Sequence, residues 1–308
     1  MGNSWRALAT IAHEKLLRTP QLAPGEIFNL WCLRLSSLAR MRLFNQAAAE
    51  CTNLWAMLDS FHITDHSHDP INATVPFELW LLRARAKLWM NDAYGYLDEL
   101  ASLIRICKRR AKNPTVFGDP ILWKDHACRI HLLIAGQLLD LEDFQGARKI
   151  LNGLLSSTPL SETLILAAER TNFQSGHMES VQQSLNGGLS MNGLGSALRA
   201  IAEGRWGDAV TTLQALIAQD TGNLMAYNNL AVALLGSGQV EEATRTLEQA
   251  LKTSPSAFLV AEPLIFNLAT LYELRSSTAS IKKHELLVEA ARWSGDGIRG
   301  TCLKLSTS

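Results

Sequence analysis

The sequence has little charge and no excess of either sign. Only 19% of its 308 residues are charged, and 29 lysines and arginines balance 29 aspartates and glutamates. This balance argues against nucleic acid as the main partner, because phosphate recognition needs a basic field. It also gives no overall attraction to an anionic membrane. Hydrophobic residues make up 47% of the chain, which is enough for a substantial core and excludes a disordered chain.

Paired cysteines, long apolar runs and strand-like alternation are also missing. The longest apolar region, 256–272, is interrupted by Glu262, Pro263 and Asn267 and therefore cannot span a bilayer. The first residues form no apolar leader core, and no run of alternating β-branched residues indicates a strand. The cysteines are scattered and form no CxxC motif, which is typical of a reducing, intracellular compartment. They are Cys32, Cys51, Cys107, Cys128 and Cys302.

What the sequence does contain is a repeating helical pattern. Its best unit, 227–255, has aromatic, large and small residues in the order of a helix–turn–helix pair. The pattern positions are Tyr227, Leu230, Ala231, Leu234, Gly238, Ala243, Leu247, Ala250 and Pro255. We expect Ala231 and Ala243 to lie where the two helices cross, while Gly238 forms the turn and Pro255 stops the second helix. This order of residues resembles the tetratricopeptide repeat.

Similar units follow one another along the chain. One set of residues stands 34 positions before its counterparts in the best unit: Ala197, Ala200, Gly204, Ala209, Leu213 and Leu216. The clearest repeats are 128–159, 190–223 and 224–257, and weaker ones are 26–58, 76–108, 160–188 and 261–291, after a leading helix near 4–18. The loops 59–75 and 110–119 are longer than the consensus turn. The pattern predicts a single all-α domain over 1–308, an α-solenoid forming a right-handed superhelix, with a C-terminal capping segment at 261–308.

The motifs of common enzyme classes are not found. There is no GxSxG elbow, no GxxxxGK[ST] phosphate loop and no GxGxxG after a strand. One segment, 62–69, is rich in zinc-type ligands, although a solvated loop is the favoured interpretation. Its members are His62, Asp65, His66, His68 and Asp69. We therefore assign no catalytic, cofactor-binding or metal-binding residue and predict that the chain is not an enzyme.

Two surface features are candidates for partner binding. A basic run ends a predicted helix before Asn113-Pro114, and it consists of Arg105, Lys108, Arg109, Arg110 and Lys112. These cations either complement the negative end of the helix dipole or form a patch for an acidic membrane, an acidic partner or nuclear import. The dipole interpretation is favoured. Trp293 lies among polar neighbours and is the tryptophan that we most expect to be an exposed anchor.

The C-terminal sequence contains residues that repeat packing alone does not require. They are Phe266-Asn267-Leu268, Tyr272-Glu273-Leu274-Arg275-Ser276-Ser277, Lys282-Lys283, Leu286-Leu287, Gly295-Asp296 and Cys302-Leu303-Lys304-Leu305. Together with Asn228-Asn229-Leu230-Ala231 and Trp31-Cys32-Leu33-Arg34-Leu35, they resemble the subunit 12 family of the transport protein particle (TRAPP) complex. The resemblance covers nearly the whole chain. Members of that family carry a long polar N-terminal region before the repeats, whereas the given sequence begins almost at its first predicted helix.

The resemblance implies a non-enzymatic accessory scaffold of a TRAPP III-type assembly, which is a vesicle tether and Rab-GTPase exchange factor in ER-to-Golgi traffic and autophagy. The implied partners are other large TRAPP subunits and, through them, the small-subunit core, so that the Rab GTPase is an indirect partner. It also implies a cytoplasmic protein, peripheral at ER–Golgi intermediate or Golgi membranes through the complex. No cofactor and no nucleic acid are implied.

Four C-terminal residues are the candidates for a docking element: Tyr272, Arg275, Leu303 and Leu305. In the alternative interpretation, Leu303 and Leu305 cover the last helical pair, which would otherwise expose an apolar face. A second class of function is also open, namely a receptor for peptides or C-terminal carboxylates like those of co-chaperones. Asn228 and Asn229 point to such a receptor, although the accompanying lysine and arginine positions are not consistently filled.

Overall fold

The computed structural model describes residues 4–18, 22–60, 75–114, 118–157, 162–175, 193–275 and 277–305. Every regular element within these ranges is a helix, which confirms the predicted all-α class. The histidine- and aspartate-rich segment 62–69 lies outside the described residues. In the part of the chain that the structure describes, no helix is long and apolar enough to cross a membrane.

The chain divides into two compact units, one within residues 4–177 and the other within 178–308, here called the N-terminal and the C-terminal unit. The N-terminal unit contains α1 (Trp5–Arg18), α2 (Pro24–Arg40), α3 (Phe44–Ser60), α4 (Phe77–Trp89), α5 (Ala93–Lys112), α6 (Pro120–Asp140), α7 (Phe144–Ser157) and α8 (Glu162–Gln174). The C-terminal unit contains α9 (Gly193–Ala202), α10 (Trp206–Gln219), α11 (Leu224–Gly236), α12 (Val240–Thr253), α13 (Pro255–Phe258), α14 (Glu262–Arg275), α15 (Ala279–Trp293) and a short 3₁₀ helix (Gly300–Leu303). The single domain over 1–308 and the right-handed superhelix stay predictions.

In the N-terminal unit, helices pack mainly against their neighbours in the chain, as expected of an α-solenoid. The core is formed by fully buried aliphatic side chains and by two tryptophans. The rings of Trp55 and Trp80 lie 4.6 Å apart between centroids. Asp92 begins α5 by accepting a hydrogen bond from the Gly95 amide at 2.8 Å, which satisfies one of the free N–H groups at the helix start.

A residue with a positive φ angle follows the first helix of a pair in both units. In the C-terminal unit it is Gly204 (74°) or Gly238 (80°), which are the glycines that the repeat pattern places in turns. In the N-terminal unit the same role falls to Arg42 (62°), Asn91 (64°) and Glu142 (62°). A side chain in this left-handed conformation costs about 1–2 kcal/mol. The chain therefore adopts the same left-handed turn where the sequence has no glycine, because the packing of the two helices requires it.

The C-terminal unit buries the small residues of the repeat. Ala231 and Ala243 are 3% and 0% exposed, in agreement with their expected place at the helix crossing. Pro255 does more than stop a helix. The preceding helix, α12, ends at Thr253, and Pro255 is the first residue of α13, a position where its missing N–H is not needed.

Candidate functional site

Tyr272, predicted as part of a docking element, lies inside the C-terminal unit. It is 7% exposed, and its hydroxyl donates a hydrogen bond to Glu248 Oε1 across 3.2 Å. Lys282 Nζ donates to the same oxygen at 2.8 Å and lies 4.9 Å from the centroid of the Tyr272 ring. The three side chains therefore join α12, α14 and α15, and little of the tyrosine is left for a partner.

The pKa values of Tyr272 and Glu248 shift in opposite directions. Burial raises the pKa of the Tyr272 phenol, and the neighbouring Glu248 carboxylate raises it further. Burial would also raise the pKa of Glu248, but the hydrogen bond and charge of Lys282 outweigh it, and the pKa of Glu248 is lowered. At neutral pH the phenol is therefore a neutral donor and the carboxylate is ionised, which is the pairing that the geometry needs.

Arg275 connects the end of α14 with the beginning of α12. Its Nη2 atom lies 3.2 Å from Glu241 Oε1, and the same oxygen accepts a hydrogen bond from Arg245 at 2.6 Å. The side chains of Arg275 and Glu241 are 36% and 55% exposed. Exposed ion pairs of this kind add little stability, so the Arg275 guanidinium is still accessible to a partner.

The segment after α15 folds back onto the last helical pair. Cys302 and Leu303 are 6% and 1% exposed, and Leu305 packs against the same core while remaining half-buried. Lys283 Nζ donates a hydrogen bond to the carbonyl oxygen of Lys304 at 2.8 Å. These contacts are what the capping interpretation predicts, because the apolar face of a terminal pair is covered by the chain itself.

Glu273 on α14 binds one lysine of α15 and one lysine of the segment that follows it. Its Oε1 and Oε2 atoms each accept a hydrogen bond at 2.5 Å, from Lys283 Nζ and Lys304 Nζ respectively. These two hydrogen bonds lower the pKa of Glu273. The side chain of Lys283 is only 8% exposed, and the carboxylate of Glu273 balances its positive charge within the fold. The repeat pattern does not predict this cluster, since its members are unrelated to the helix-crossing positions.

Trp293 is the last residue of α15. It is 45% exposed. The preceding residue, Arg292, is held by Glu289 at 2.9 Å one turn earlier. Among the C-terminal candidates, Trp293 therefore presents the largest apolar side chain to solvent, in a polar setting that suits an interface anchor.

The basic run occupies the C-terminal half of α5, and the structure separates its members. Arg105 and Arg109 are exposed. Arg110 is half-buried, with its guanidinium carbon 4.7 Å from the centroid of the Trp123 ring, and burial lowers its pKa. Arg110 therefore packs within the pair formed by α5 and α6, while Arg105 and Arg109 point to solvent.

Arg34 holds three helices of the N-terminal unit together. It belongs to a segment that carries the resemblance, but the sequence did not indicate this role. It is 8% exposed. Its Nε and Nη2 atoms donate to the two Glu50 oxygens at 2.5 and 2.6 Å, and Nη1 donates to the carbonyl oxygen of Ala9 at 3.1 Å. The guanidinium thereby links α1, α2 and α3 through one planar fork of donors.

A groove of about 620 Å³ lies between the first helices α2, α4 and α6 of the N-terminal unit. Arg40 and Arg85 contribute to its lining together with Phe44 and Trp89, whose rings stack with centroids 6.4 Å apart. Asp140 lies at the same groove. A cleft with cationic and aromatic walls is suited to an anionic, partly apolar ligand.

The two asparagines that suggested a peptide receptor lie in the C-terminal unit, on α11. Asn228 Oδ1 accepts a hydrogen bond from Asn267 Nδ2 at 2.8 Å, so this amide joins α11 to α14. The Nδ2 atom of Asn229 is buried without a hydrogen-bond partner in the described part of the structure. These asparagines are therefore not among the residues that line the groove of the N-terminal unit.

Metal-binding and thiol chemistry have no visible site in the described ranges. Among those residues, no group of three or more histidine, cysteine, aspartate or glutamate side chains is placed to hold a metal ion. All five cysteines are free thiols. Burial raises the pKa of Cys51 and of Cys107 to about 11, so both thiols are protonated at neutral pH and are weak nucleophiles.

Two curated relatives are named trafficking protein particle complex subunit 12. The human protein is 27% identical over 311 residues, which cover 90% of this chain and 42% of the human protein. The mouse protein is 26% identical, with 90% of this chain and 39% of the mouse protein covered. The chain thus spans about two fifths of the length of the curated relatives it matches.

Two solved structures are also similar. A tetratricopeptide repeat protein from Parabacteroides merdae is 12% identical, with a TM-score of 0.49 and 98% and 97% of the two chains covered. A monomeric mutant of IFIT1 with Gppp-AAAA is 13% identical, with a TM-score of 0.43 and coverage of 98% and 62%.

A sequence model of the tetratricopeptide repeat matches residues 200–261, a stretch that includes the best repeat. Combined with the helical pairs of both units, this match confirms the α-solenoid class. The resemblance seen in the C-terminal residues is confirmed by the two curated relatives. The chain contains a tetratricopeptide-repeat match at residues 200–261 and is similar to subunit 12 of the trafficking protein particle complex over 90% of its length.

Proposed function

We propose that this chain is a non-enzymatic scaffold subunit of a TRAPP III-type complex, which tethers vesicles and exchanges nucleotide on a Rab GTPase. The observation that carries the proposal is the similarity to subunit 12 over 90% of the chain. The chain acts in ER-to-Golgi traffic and autophagy, in the cytoplasm at ER–Golgi intermediate or Golgi membranes. It binds other large TRAPP subunits and, through them, the small-subunit core, so that the Rab GTPase is reached indirectly.

The proposed mechanism is binding through shape and apolar burial, with charged residues at the rim. Trp293 is the proposed anchor because a half-exposed indole that enters a partner's pocket can supply a large share of binding energy. Arg275 is the proposed rim residue because its guanidinium is 36% exposed and can exchange part of its pairing with Glu241 for a partner's carboxylate. Tyr272, Leu303 and Leu305 support these residues from inside the fold.

Affinity purification of the tagged full chain from cells, followed by identification of the proteins that co-purify, tests the proposed assembly. We expect the other TRAPP subunits among the recovered proteins, in constant proportion after size-exclusion chromatography. Their absence from a preparation of folded, soluble chain would refute the proposal.

Two pairs of variants test the proposed residues. We expect Trp293→Ala to reduce recovery of the TRAPP subunits by about tenfold or more, since loss of an aromatic anchor costs 2 kcal/mol or more. The matched control is Tyr94→Ala, which removes an aromatic side chain that is 74% exposed. Arg275→Ala is compared in the same way with Arg292→Ala, and a rim charge should change recovery by less than the anchor does. Equal recovery with Trp293→Ala and with its control would exclude Trp293 as the anchor.

A second candidate function is supported by the groove between α2, α4 and α6. Its arginines and aromatic rings suit a peptide that ends in a carboxylate, as in the receptor alternative. The test is fluorescence anisotropy of a labelled acidic peptide in two forms, with a free and with an amidated C-terminus. A preference for the free carboxylate that is lost in Arg40→Glu/Arg85→Glu supports the receptor function, and equal binding of the two forms contradicts it.

A further inference from the structure

The exposed cations of α5 form one continuous stripe. Arg105, Lys108, Arg109 and Lys112 follow one another at the i, i+3, i+4 and i+7 positions of a single helix face, and all four are exposed. The opposite face carries the buried Cys107. Seven residues of helix advance by about 10 Å, so four positive charges are concentrated within roughly one Debye length at physiological salt.

These cations lack the local partners that other cations of the chain have. Arg245, for example, reaches two glutamates one turn earlier on its own helix, at 2.6 and 2.7 Å. On α5, Arg105 donates to the Ser102 hydroxyl at 2.9 Å, and none of the four stripe cations forms an ion pair with a carboxylate in the described parts of the chain. The helix dipole favours only the cations of the last turn, and Arg105 lies nearly two turns before the helix end.

Exposed apolar side chains lie at the same end of this helical pair. Ile121 and Leu122, in the first turn of α6, are 71% and 50% exposed. The contact between Arg110 and the Trp123 ring, at 4.7 Å, holds the end of α5 beside the beginning of α6. The end of α5 therefore carries four exposed cations, and the adjacent start of α6 carries two exposed aliphatic side chains. We call these six residues the basic–apolar corner.

Few acidic groups oppose the positive charge of this corner. Asp119 accepts a hydrogen bond from the Ile121 amide at 2.8 Å and so caps α6. Asp125 forms an ion pair with Arg129 at 2.9 Å. Asp98 lies on the cationic face of α5 but about two turns before Arg105. The corner therefore keeps a local positive potential even though the whole chain has no net charge.

We propose that the basic–apolar corner docks directly on an anionic lipid bilayer. The stripe cations contact the phosphates and carboxylates of the headgroups, and Ile121 and Leu122 enter the boundary between headgroups and acyl chains. Cations beside exposed aliphatic side chains favour a lipid surface over an acidic protein or a nucleic acid, neither of which has an apolar layer beneath its negative charge. This inference goes beyond the proposed function, in which the membrane is reached only through the complex.

Sedimentation with vesicles measures the docking on the purified full chain without any partner. The vesicles contain phosphatidylcholine alone or a mixture with phosphatidylserine. We expect binding to the phosphatidylserine vesicles only, with an affinity that falls as salt is raised. Because no other subunit is present, failure of this experiment leaves the proposed assembly untouched, and loss of the assembly leaves this result untouched.

Two variants separate the contributions. Arg105→Glu/Lys108→Glu/Arg109→Glu/Lys112→Glu is expected to lower the partition coefficient by about 100-fold or more, since each surface cation contributes about fivefold. Ile121→Ser/Leu122→Ser keeps every charge and is expected to lower it by about tenfold. The second variant substitutes only exposed side chains, so it keeps the test valid if the quadruple variant fails to fold.

The matched control reverses four exposed cations elsewhere and lowers the net charge by the same amount. It consists of Lys15→Glu, Arg18→Glu, Lys252→Glu and Arg292→Glu. We expect it to change the partition coefficient by less than about threefold, since none of these charges lies on α5 or α6. Three results would each overturn the proposal: no binding of the unmodified chain to phosphatidylserine vesicles, an equal loss with the control, or unchanged binding with Ile121→Ser/Leu122→Ser. The last would indicate a purely electrostatic surface for an acidic protein.

Discussion

Substitution of Leu303 by alanine distinguishes a C-terminal cap from a docking element. Leu303 is 1% exposed and belongs to the core of the C-terminal unit. Removing its three terminal carbon atoms leaves a cavity between the 3₁₀ helix and the last helical pair. Leucine-to-alanine changes at such sites cost about 2–5 kcal/mol, and the value increases with the volume that the surroundings cannot refill. Because a chain end can relax, we expect Leu303→Ala to cost about 2–3 kcal/mol.

Urea unfolding of the full chain, followed by circular dichroism at 222 nm, measures the effect. The control is Val288→Ala on α15, whose side chain is 52% exposed and whose loss should change the unfolding free energy by no more than about 0.5 kcal/mol. Leu305→Ala, at a half-buried position, should lie between the two. A cost below about 1 kcal/mol for Leu303→Ala, together with a loss of co-purifying partners, would contradict the cap and identify Leu303 as an interface residue.

Four further single substitutions test the packing and the charge pairing on which the fold depends. Gly236→Ala should destabilise the chain by about 1–3 kcal/mol, because a Cβ atom there would lie 2.7 Å from the ring of the tryptophan that begins α10. Gly153→Ala, which meets no atom within 4 Å, should gain up to about 1 kcal/mol in the same urea titration. Arg34→Met should cost about 2–3 kcal/mol because it leaves Glu50 without its charged donors, and the double variant Arg34→Met/Glu50→Leu should recover much of this loss. The pKa of Glu248 is lowered in the fold, so its stabilising effect is present above the unfolded-state pKa of about 4.3 and is lost as pH falls through the folded pKa. Glu248→Gln should therefore unfold at lower urea than the unmodified chain at pH 7, by no more than about 1 kcal/mol, and the two titrations should coincide at pH 2.

The repeating pattern of the sequence predicted the helices well because tetratricopeptide packing is local. Small residues such as Ala231 and Ala243 are needed wherever two neighbouring helices cross, and their spacing can be read directly from the chain. The turns are less visible. The residue type of Gly238 predicts a left-handed conformation. Arg42 and Glu142 adopt the same conformation, although arginine and glutamate do not predict it. In those turns the packing of the flanking helices outweighs local preference.

The candidate site was less predictable, because burial depends on contacts that the sequence does not display. Tyr272 belongs to the resemblance and was expected to dock a partner, yet its hydroxyl donates a hydrogen bond to Glu248, 24 residues earlier. One usable signal existed. Lys282 pairs with Glu248 and Arg275 with Glu241, and each pair is separated by 34 residues, the period of the repeat. Opposite charges one period apart therefore indicate an ion pair between stacked repeats.

A charged group that already has a partner inside the fold gains little from a second one, because the first pairing must be weakened to make the new one. In the C-terminal unit, for example, Lys283 donates hydrogen bonds to Glu273 and to the carbonyl oxygen of Lys304. Its contacts therefore stabilise the fold. Side chains without such partners inside the fold are the ones that can lower the free energy of an assembly. Trp293 at the end of α15 satisfies this condition by exposure, and the basic–apolar corner satisfies it by charge and exposure together. The interaction chemistry of this chain is therefore expected at the ends of helices, where the repeat pattern makes no demand on residue type.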